Sequence, residues 1–295
     1  MHKNISDRIL SCCAYIFIIL FSAFCLYPLL LTLGVSFSKE NLVQIHGYKL
    51  IPEVFSLETY QYLFYQSGER ILRSYGVTIL VTLVGTMLAM IVTSMMGYAI
   101  SIRSLKYRNF ISLYSYFTVI FSAGMIPWYI ICVNYLHFRD NILGLIIPYL
   151  INVWFLFLLR NFFQSIPDAI FESAKIDGAG YFTIYYKIAL PLSKTPMLTV
   201  ALFYALQYWN DWWLAIMFIS KQTLFPLQYY LYTIVSNVQA LSSGQISSSA
   251  AASITLPSET VKMAVTVVAI GPIIFLYPLV QKYFVKGVMV GGVKG

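Results

Sequence analysis

The chain has 295 residues and a formal net charge of +8, with 59% hydrophobic and only 10% charged residues. A soluble domain carries roughly 25% charged residues. With a mean hydropathy of +0.75, the composition excludes a soluble enzyme, a disordered tail and a disulfide scaffold, and leaves an integral membrane protein, which the six helix-length apolar stretches below make an all-α one. The pI near 9.2 is not read as a nucleic-acid signal, because in a membrane protein the placement of cations encodes orientation.

A membrane-crossing helix needs about 20 mainly apolar residues. Six stretches qualify, at about 11–33, 77–100, 110–135, 142–159, 197–219 and 263–280. The first follows Lys3 and Arg8, but its apolar run is about 23 residues, longer than a signal peptide's core. Phe24 just before Cys25 argues against lipoprotein processing, so it reads as a retained anchor. Residues 35–73 read as external, with a short surface helix over 57–65 carrying Tyr60, Tyr62, Phe64 and Tyr65. A polar break, His137 to Asn141, parts the third and fourth stretches. Residues 160–196 form an internal loop and 220–262 an external one, whose Ser-, Gly- and Ala-rich part (236–258) predicts a flexible connector. With the N-terminus inside, twelve of the nineteen Lys and Arg fall on internal segments, which places both termini in the cytoplasm. The chain reads as one transmembrane domain over 1–295, multi-pass in a bacterial cytoplasmic membrane.

Cys12, Cys13, Cys25 and Cys132 all lie in apolar stretches without a CxxC pair, and His2, His46 and His137 form no HExxH, so no metal site is expected. Neither a GxxxxGK[ST] phosphate loop nor a GxSxG elbow occurs. No catalytic residue is therefore expected, and no cofactor bound by this chain.

The internal segment from Gln164 to Pro196 holds two helical patterns. Ser165 is the expected N-cap, Pro167 suits a first turn, and Asp168 favours the positive end of the helix dipole. Ala169, Ile170, Ser173, Ala174 and Asp177 follow at helical spacing until Gly178 and Gly180 break the pattern. A second amphipathic stretch carries Phe182, Tyr185, Tyr186, Ile188 and Ala189, and Pro191 is expected to end it. The result is two short helices joined at a glycine hinge.

Asp211 is the one acid within the apolar stretches, set among Gln207, Trp209, Asn210, Trp212 and Trp213. An ionisable group at membrane depth is a functional candidate by default. Amide, carboxylate and indole together suit a sugar, whose CH faces stack on rings while its hydroxyls hydrogen-bond. Asn134, with Trp128 and Tyr129, is a further candidate for this pathway. The alternative is structural: Asp211 satisfied by neighbouring helices, and Trp212 packing. Both readings stand at this point.

Glu172-Ser173-Ala174, three residues, Gly178, nine residues, Ile188, one residue, then Leu190-Pro191 resembles the EAA loop of ATP-binding-cassette (ABC) importer permeases, with Ser173 replacing the usual second Ala. Ala174 to Ala179 resembles the carbohydrate-uptake form. Gly124 to Pro127, Leu159 to Phe163 and Gln281 to Gly287 look similar to the same family, specifically the smaller permease subunit of maltose-type oligosaccharide importers. The tail Gly292 to Gly295 resembles the subgroup for complex plant, algal or host glycans. The resemblance implies that Glu172, Ser173, Ala174, Asp177, Gly178, Ala179, Ile188, Leu190 and Pro191 couple the chain to a cytoplasmic ATPase. It implies a second homologous permease, two ATPase subunits holding ATP and Mg, an extracytoplasmic solute-binding protein, an oligosaccharide substrate and surrounding lipid. It also implies that residues 236–256 reach into the binding protein. Two rivals are an ion-gradient-driven secondary transporter and a membrane-embedded enzyme. The first needs coupling-ion sites at the midplane and the second several clustered polar groups.

Overall fold

The computed structural model describes residues 5–242 and 259–271. Among these residues, regular structure is helical apart from an isolated antiparallel bridge between Ser38 and Phe55. They fall into two compact units, one built from residues up to Glu69 and from Leu231 onward, the other from Arg70 to Tyr230.

The first unit opens with α1, Ile5–Ser36. At 1.5 Å per residue its length is about 48 Å, ample for a hydrocarbon core of about 30 Å. Over its most apolar 18 residues none is buried by the other described residues, as a lipid-facing or partner-facing helix requires, whereas its last turn, with Val35 and Ser36, is buried. Next come α2, Glu40–His46, and the first turns of α3, Glu58–Ser101. The short surface helix expected over 57–65 is corrected: these residues open a 44-residue helix, because nothing from Gln66 to Val77 is a proline and the two glycines there are tolerated singly. Helical residues 259–271 are held by Glu40. Its carboxylate accepts the backbone N–H of Glu259 (3.1 Å) and Thr260 (2.9 Å) and the Thr260 hydroxyl (2.7 Å). Two backbone N–H groups of this helical segment are thus satisfied by a negatively charged acceptor. Burial alone would raise the Glu40 carboxyl, but the hydrogen bonds from Thr260, Glu259 and Gln44 outweigh it and hold the group below its ordinary range.

In the second unit, α3 continues past Gly85. A Cβ at Gly85 would lie 2.7 Å from the Tyr208 ring, so only glycine lets that ring cross the helix. Three expected spans are broken. Residues 110–135 divide into α4, Arg108–Ile120, and α5, Met125–Tyr135, bent by 113°. Residues 142–159 divide into α6, Leu143–Tyr149, and α7, Val153–Gln164, bent by 48°. The second break has a clear cause: the Asn152 side chain accepts N–H bonds from Trp154 (3.0 Å) and Phe155 (3.4 Å) and starts a new helix. α7 runs to Gln164, so the first residues of the loop expected over 160–196 are helical.

Short helix α8, Asp168–Ile176, is followed by α9, Tyr181–Leu192, and α10, Lys194–Trp209, which meet at 84°. The expected span 197–219 is interrupted after Trp209 and resumes as α11, Trp213–Phe218. The segment expected as an external loop holds α12, Leu227–Ser242, so 236–242 are helical rather than a flexible connector. Residues 243–258 of that loop and 272–280 of the last expected span lie outside the described residues. By length and apolarity two described helices can cross a membrane, or five if each bent pair counts as one crossing.

The core of this unit gathers Leu156, Leu159, Phe163, Ile184, Tyr204, Tyr208 and Phe218. Its tyrosines are satisfied. Tyr204 bonds Thr93 Oγ1 (2.7 Å) and accepts the Asn152 N–H (2.9 Å), and Tyr208 donates to the Ile146 carbonyl (2.9 Å). One polar clasp joins two connections. Asp140 accepts the N–H groups of Ser220 (2.7 Å) and Lys221 (2.8 Å), while its own N–H donates to the Phe218 carbonyl (2.8 Å). Those bonds hold the Asp140 carboxyl below its ordinary range.

Candidate functional site

Two helices on a glycine hinge form the segment from Ser165 to Leu192, and its local chemistry explains both ends. Ser165 does not cap α8. Its hydroxyl donates to the Phe162 carbonyl and its N–H to Asn161, so it closes α7 instead. Pro167, in extended conformation, precedes α8, with Asp168 in the first turn and Lys175 in the last. The other end is a Schellman cap: Ala179 N–H donates to the Ala174 carbonyl (2.9 Å) and Gly178 N–H to the Lys175 carbonyl (3.0 Å). Gly178 takes φ +79°, the left-handed region that favours glycine. Gly180, at φ −73°, starts α9. Pro191 does not end α9, which continues to Leu192. Lacking an N–H and crowding the Lys187 carbonyl, it follows a widened π-turn over Tyr185–Ala189.

An aromatic seat fixes α8 at the end of α3. Tyr98 packs against Phe163 (5.8 Å), Phe171 (6.4 Å) and Tyr185 (5.2 Å), ring centre to ring centre. The Tyr185 hydroxyl lies 2.8 Å from Ser94 Oγ. Arg103 pairs with Asp168 at 3.1 Å, and Lys175 lies 5.3 Å from the Tyr181 ring centre. Ala174 is turned into the chain, so its small side chain serves the seat. Glu172, Ser173, Asp177 and Gly178 are exposed, Ile176 is 86% exposed, and Ala179 is half-buried. On α9, Ile188 and Leu190 are half-buried and Pro191 is exposed, while Tyr181, Phe182, Tyr186 and Leu192 present apolar surface outward. The outcome is a braced platform with an outward face that is part acidic and part apolar. Tyr98, Phe163 and Phe171 escaped the sequence reading because an aromatic at helical spacing in an apolar run carries no mark of a seat.

Asp211 sits in the break between α10 and α11, not within a helix. Its carboxylate accepts the Tyr149 hydroxyl (2.9 Å) and, more weakly, the Leu214 N–H (3.5 Å). Tyr149 stands edge-on to Tyr208 at 6.0 Å. Asn210 bonds back to the Leu206 carbonyl, and Trp209 is buried against Tyr75, its indole N–H without a hydrogen-bond partner among the described residues. Trp212 and Trp213 are exposed and perpendicular to one another, and Gln207 is half-buried. Asn134 is exposed on the π-turn ending α5, whereas Trp128 and Tyr129 pack on Phe218. The structure therefore brings Asp211 together with Tyr149, a partner 62 positions away that the sequence does not signal. Among the described residues no cluster of His, Cys, Asp and Glu is arranged to hold a metal ion.

Residues 105–290 match the family described as "Binding-protein-dependent transport system inner membrane component". The chain belongs to this family. It is 39% identical over 98% of its length to the polygalacturonan/rhamnogalacturonan transport system permease protein YtcP of Bacillus subtilis, covering 99% of that protein. It is 37% identical to Protein LplC of the same organism, covering 98% of it. Its fold matches a crystal structure of a bacterial ABC transporter involved in import of the acidic polysaccharide alginate. The TM-score is 0.81 at 28% identity, with 96% of this chain and 99% of that one covered. This is a membrane permease component of a binding-protein-dependent ABC importer, without catalytic activity of its own, working with a separate ATPase and a solute-binding protein. An ion-gradient-driven carrier finds no support.

Proposed function

We propose that this chain translocates an oligosaccharide by alternating access, driven through α8 by partner ATPases. The observation that carries the reading is the exposed face of α8 around Glu172 and Ile176, whose own Phe171 packs on Tyr98, which in turn rests on Phe163. A force on that face is transmitted to the end of α3 rather than dissipated in a loop. In this reading the complex holds a second homologous permease and two ATPase subunits that bind ATP and Mg, and the present chain binds neither. Six crossings of a bacterial cytoplasmic membrane, with both termini inside, complete the topology. The glycan-specific names of the relatives support a carbohydrate substrate. Gln207, Trp209, Asn210, Asp211, Trp212 and Asn134 are assigned to the permeation pathway and its lining. In that assignment the Asp211–Tyr149 bond holds the α10–α11 break in one of two arrangements.

The test is reconstitution of the complete importer in proteoliposomes with its binding protein and sugar. Glu172→Lys is expected to abolish uptake and sugar-stimulated ATP hydrolysis while leaving the complex assembled. Normal uptake by that variant would overturn the coupling role of α8.

A further inference from the structure

A second feature lies beside the coupling platform. A groove of about 430 Å³, within the range of about 300–1,000 Å³ for small-molecule sites, opens between the last turns of α3, the turn after it and the start of α9. Its walls are almost wholly apolar, with Met95, Ala99, Ile102, Tyr181 and Phe182 among them, and Lys106 also lines it. Residues 101–109 carry Arg103, Lys106 and Arg108 and no acid. Arg103 is paired with Asp168, but among the described residues neither Lys106 nor Arg108 has a carboxylate partner. The Lys106 ammonium instead lies 5.6 Å from the Tyr107 ring centre.

We propose that this groove holds one acyl chain of an anionic phospholipid, with its headgroup phosphate at Lys106. The inference rests on the cytoplasmic placement of residues 101–109 in the proposed topology. Three features of the groove select this occupant. The lining is apolar apart from Ser104, Lys106 and the hydroxyls of Tyr98, Tyr181 and Tyr185, and so offers few partners for the many hydroxyls of a sugar. An acyl chain needs only apolar contact. The uncompensated cations supply the complementary charge, as in basic pockets that hold anionic headgroups at the cytoplasmic face of membrane helices. Because Met95 and Ala99 lie on α3 while Tyr181 and Phe182 lie on α9, the bound chain wedges between the two elements that brace α8. Lipid composition would thus tune how firmly the platform is held.

The test uses the assembled importer reconstituted in phosphatidylcholine vesicles containing a trace of photoactivatable phosphatidylglycerol or photoactivatable phosphatidylcholine. Labelled peptides are mapped by mass spectrometry. The expected result is preferential labelling of residues 95–106 and 181–185 by the phosphatidylglycerol probe. Lys106→Gln should lower that preference roughly fivefold, and Ala99→Phe, which fills the groove, should lower labelling by both probes. Equal labelling by both probes, labelling indifferent to both substitutions, or a groove shielded by a partner subunit would each overturn the proposal. Sugar-stimulated ATP hydrolysis in the same vesicles reads the coupling reading separately. Hydrolysis without selective labelling removes the lipid site alone, and selective labelling with uncoupled hydrolysis removes the coupling assignment alone.

Discussion

Gly178 can be asked why it is glycine. Its φ of +79° places it where an L side chain is strained, yet a Cβ built there meets no atom of the chain within 4 Å. Within this chain the requirement is conformational rather than steric. Replacing it by alanine should cost about 1–2 kcal/mol, which lowers the population of the capped hinge about 5–30-fold. Asparagine is larger but enters the left-handed region several-fold more readily than most residues. The expected order of sugar-stimulated ATP hydrolysis in the reconstituted importer is therefore wild type, then Gly178→Asn, then Gly178→Ala. A partner pressing directly on Gly178 would reverse the two variants, because the smaller side chain would then be the better tolerated. That reversal, or full activity in Gly178→Ala, would refute the argument from backbone conformation.

Gly85→Ala drives a methyl into the Tyr208 ring and should destabilise the purified protein by about 1–3 kcal/mol in detergent unfolding. Tyr208→Leu in the same chain should recover part of the loss. Tyr204→Phe leaves the Asn152 N–H without its acceptor and should cost about 1–3 kcal/mol, seen as faster hydrogen exchange at the start of α7. The lowered Glu40 carboxyl gives a pH signature. A group depressed on folding stabilises fully above its unfolded value, near 4.5, and the contribution fades as pH falls through the lower folded value. Exchange protection at 259–262 should decline on acidification in that window, and Glu40→Gln should abolish the decline.

The elements that the sequence revealed are those written in local chemistry. Apolar stretches of about 20 residues mark themselves by composition, and the two internal helices were bounded correctly where Pro167, Gly178 and Gly180 punctuate the chain. Pro191 misled because a proline can be accommodated one turn after a widened π-turn. The bends inside 110–135 and 142–159 were not visible, since hydropathy records how apolar a stretch is and not whether it is straight. Asn152, just ahead of Val153-Trp154-Phe155, was the available signal for the second bend. Ser165 looked like the cap of the helix after it and proved to close the helix before it, since a hydroxyl near two helix ends serves either. At the site, the spacing from Glu172 to Pro191 marks the segment proposed to couple to the ATPase, but the seat beneath it depends on Tyr98, 73 positions before Phe171. The Asp211–Tyr149 bond is likewise a matter of tertiary structure.

The clasp at Asp140 bears on how this protein can move. One residue, Asp140, ties the turn before α6 to the end of α11 and the chain just past it: its carboxylate accepts two backbone N–H groups and its own N–H donates to Phe218. Such a knot has no hinge in it. The two connections must travel as a single plate, and whatever opens on that side of the protein has to open along another seam.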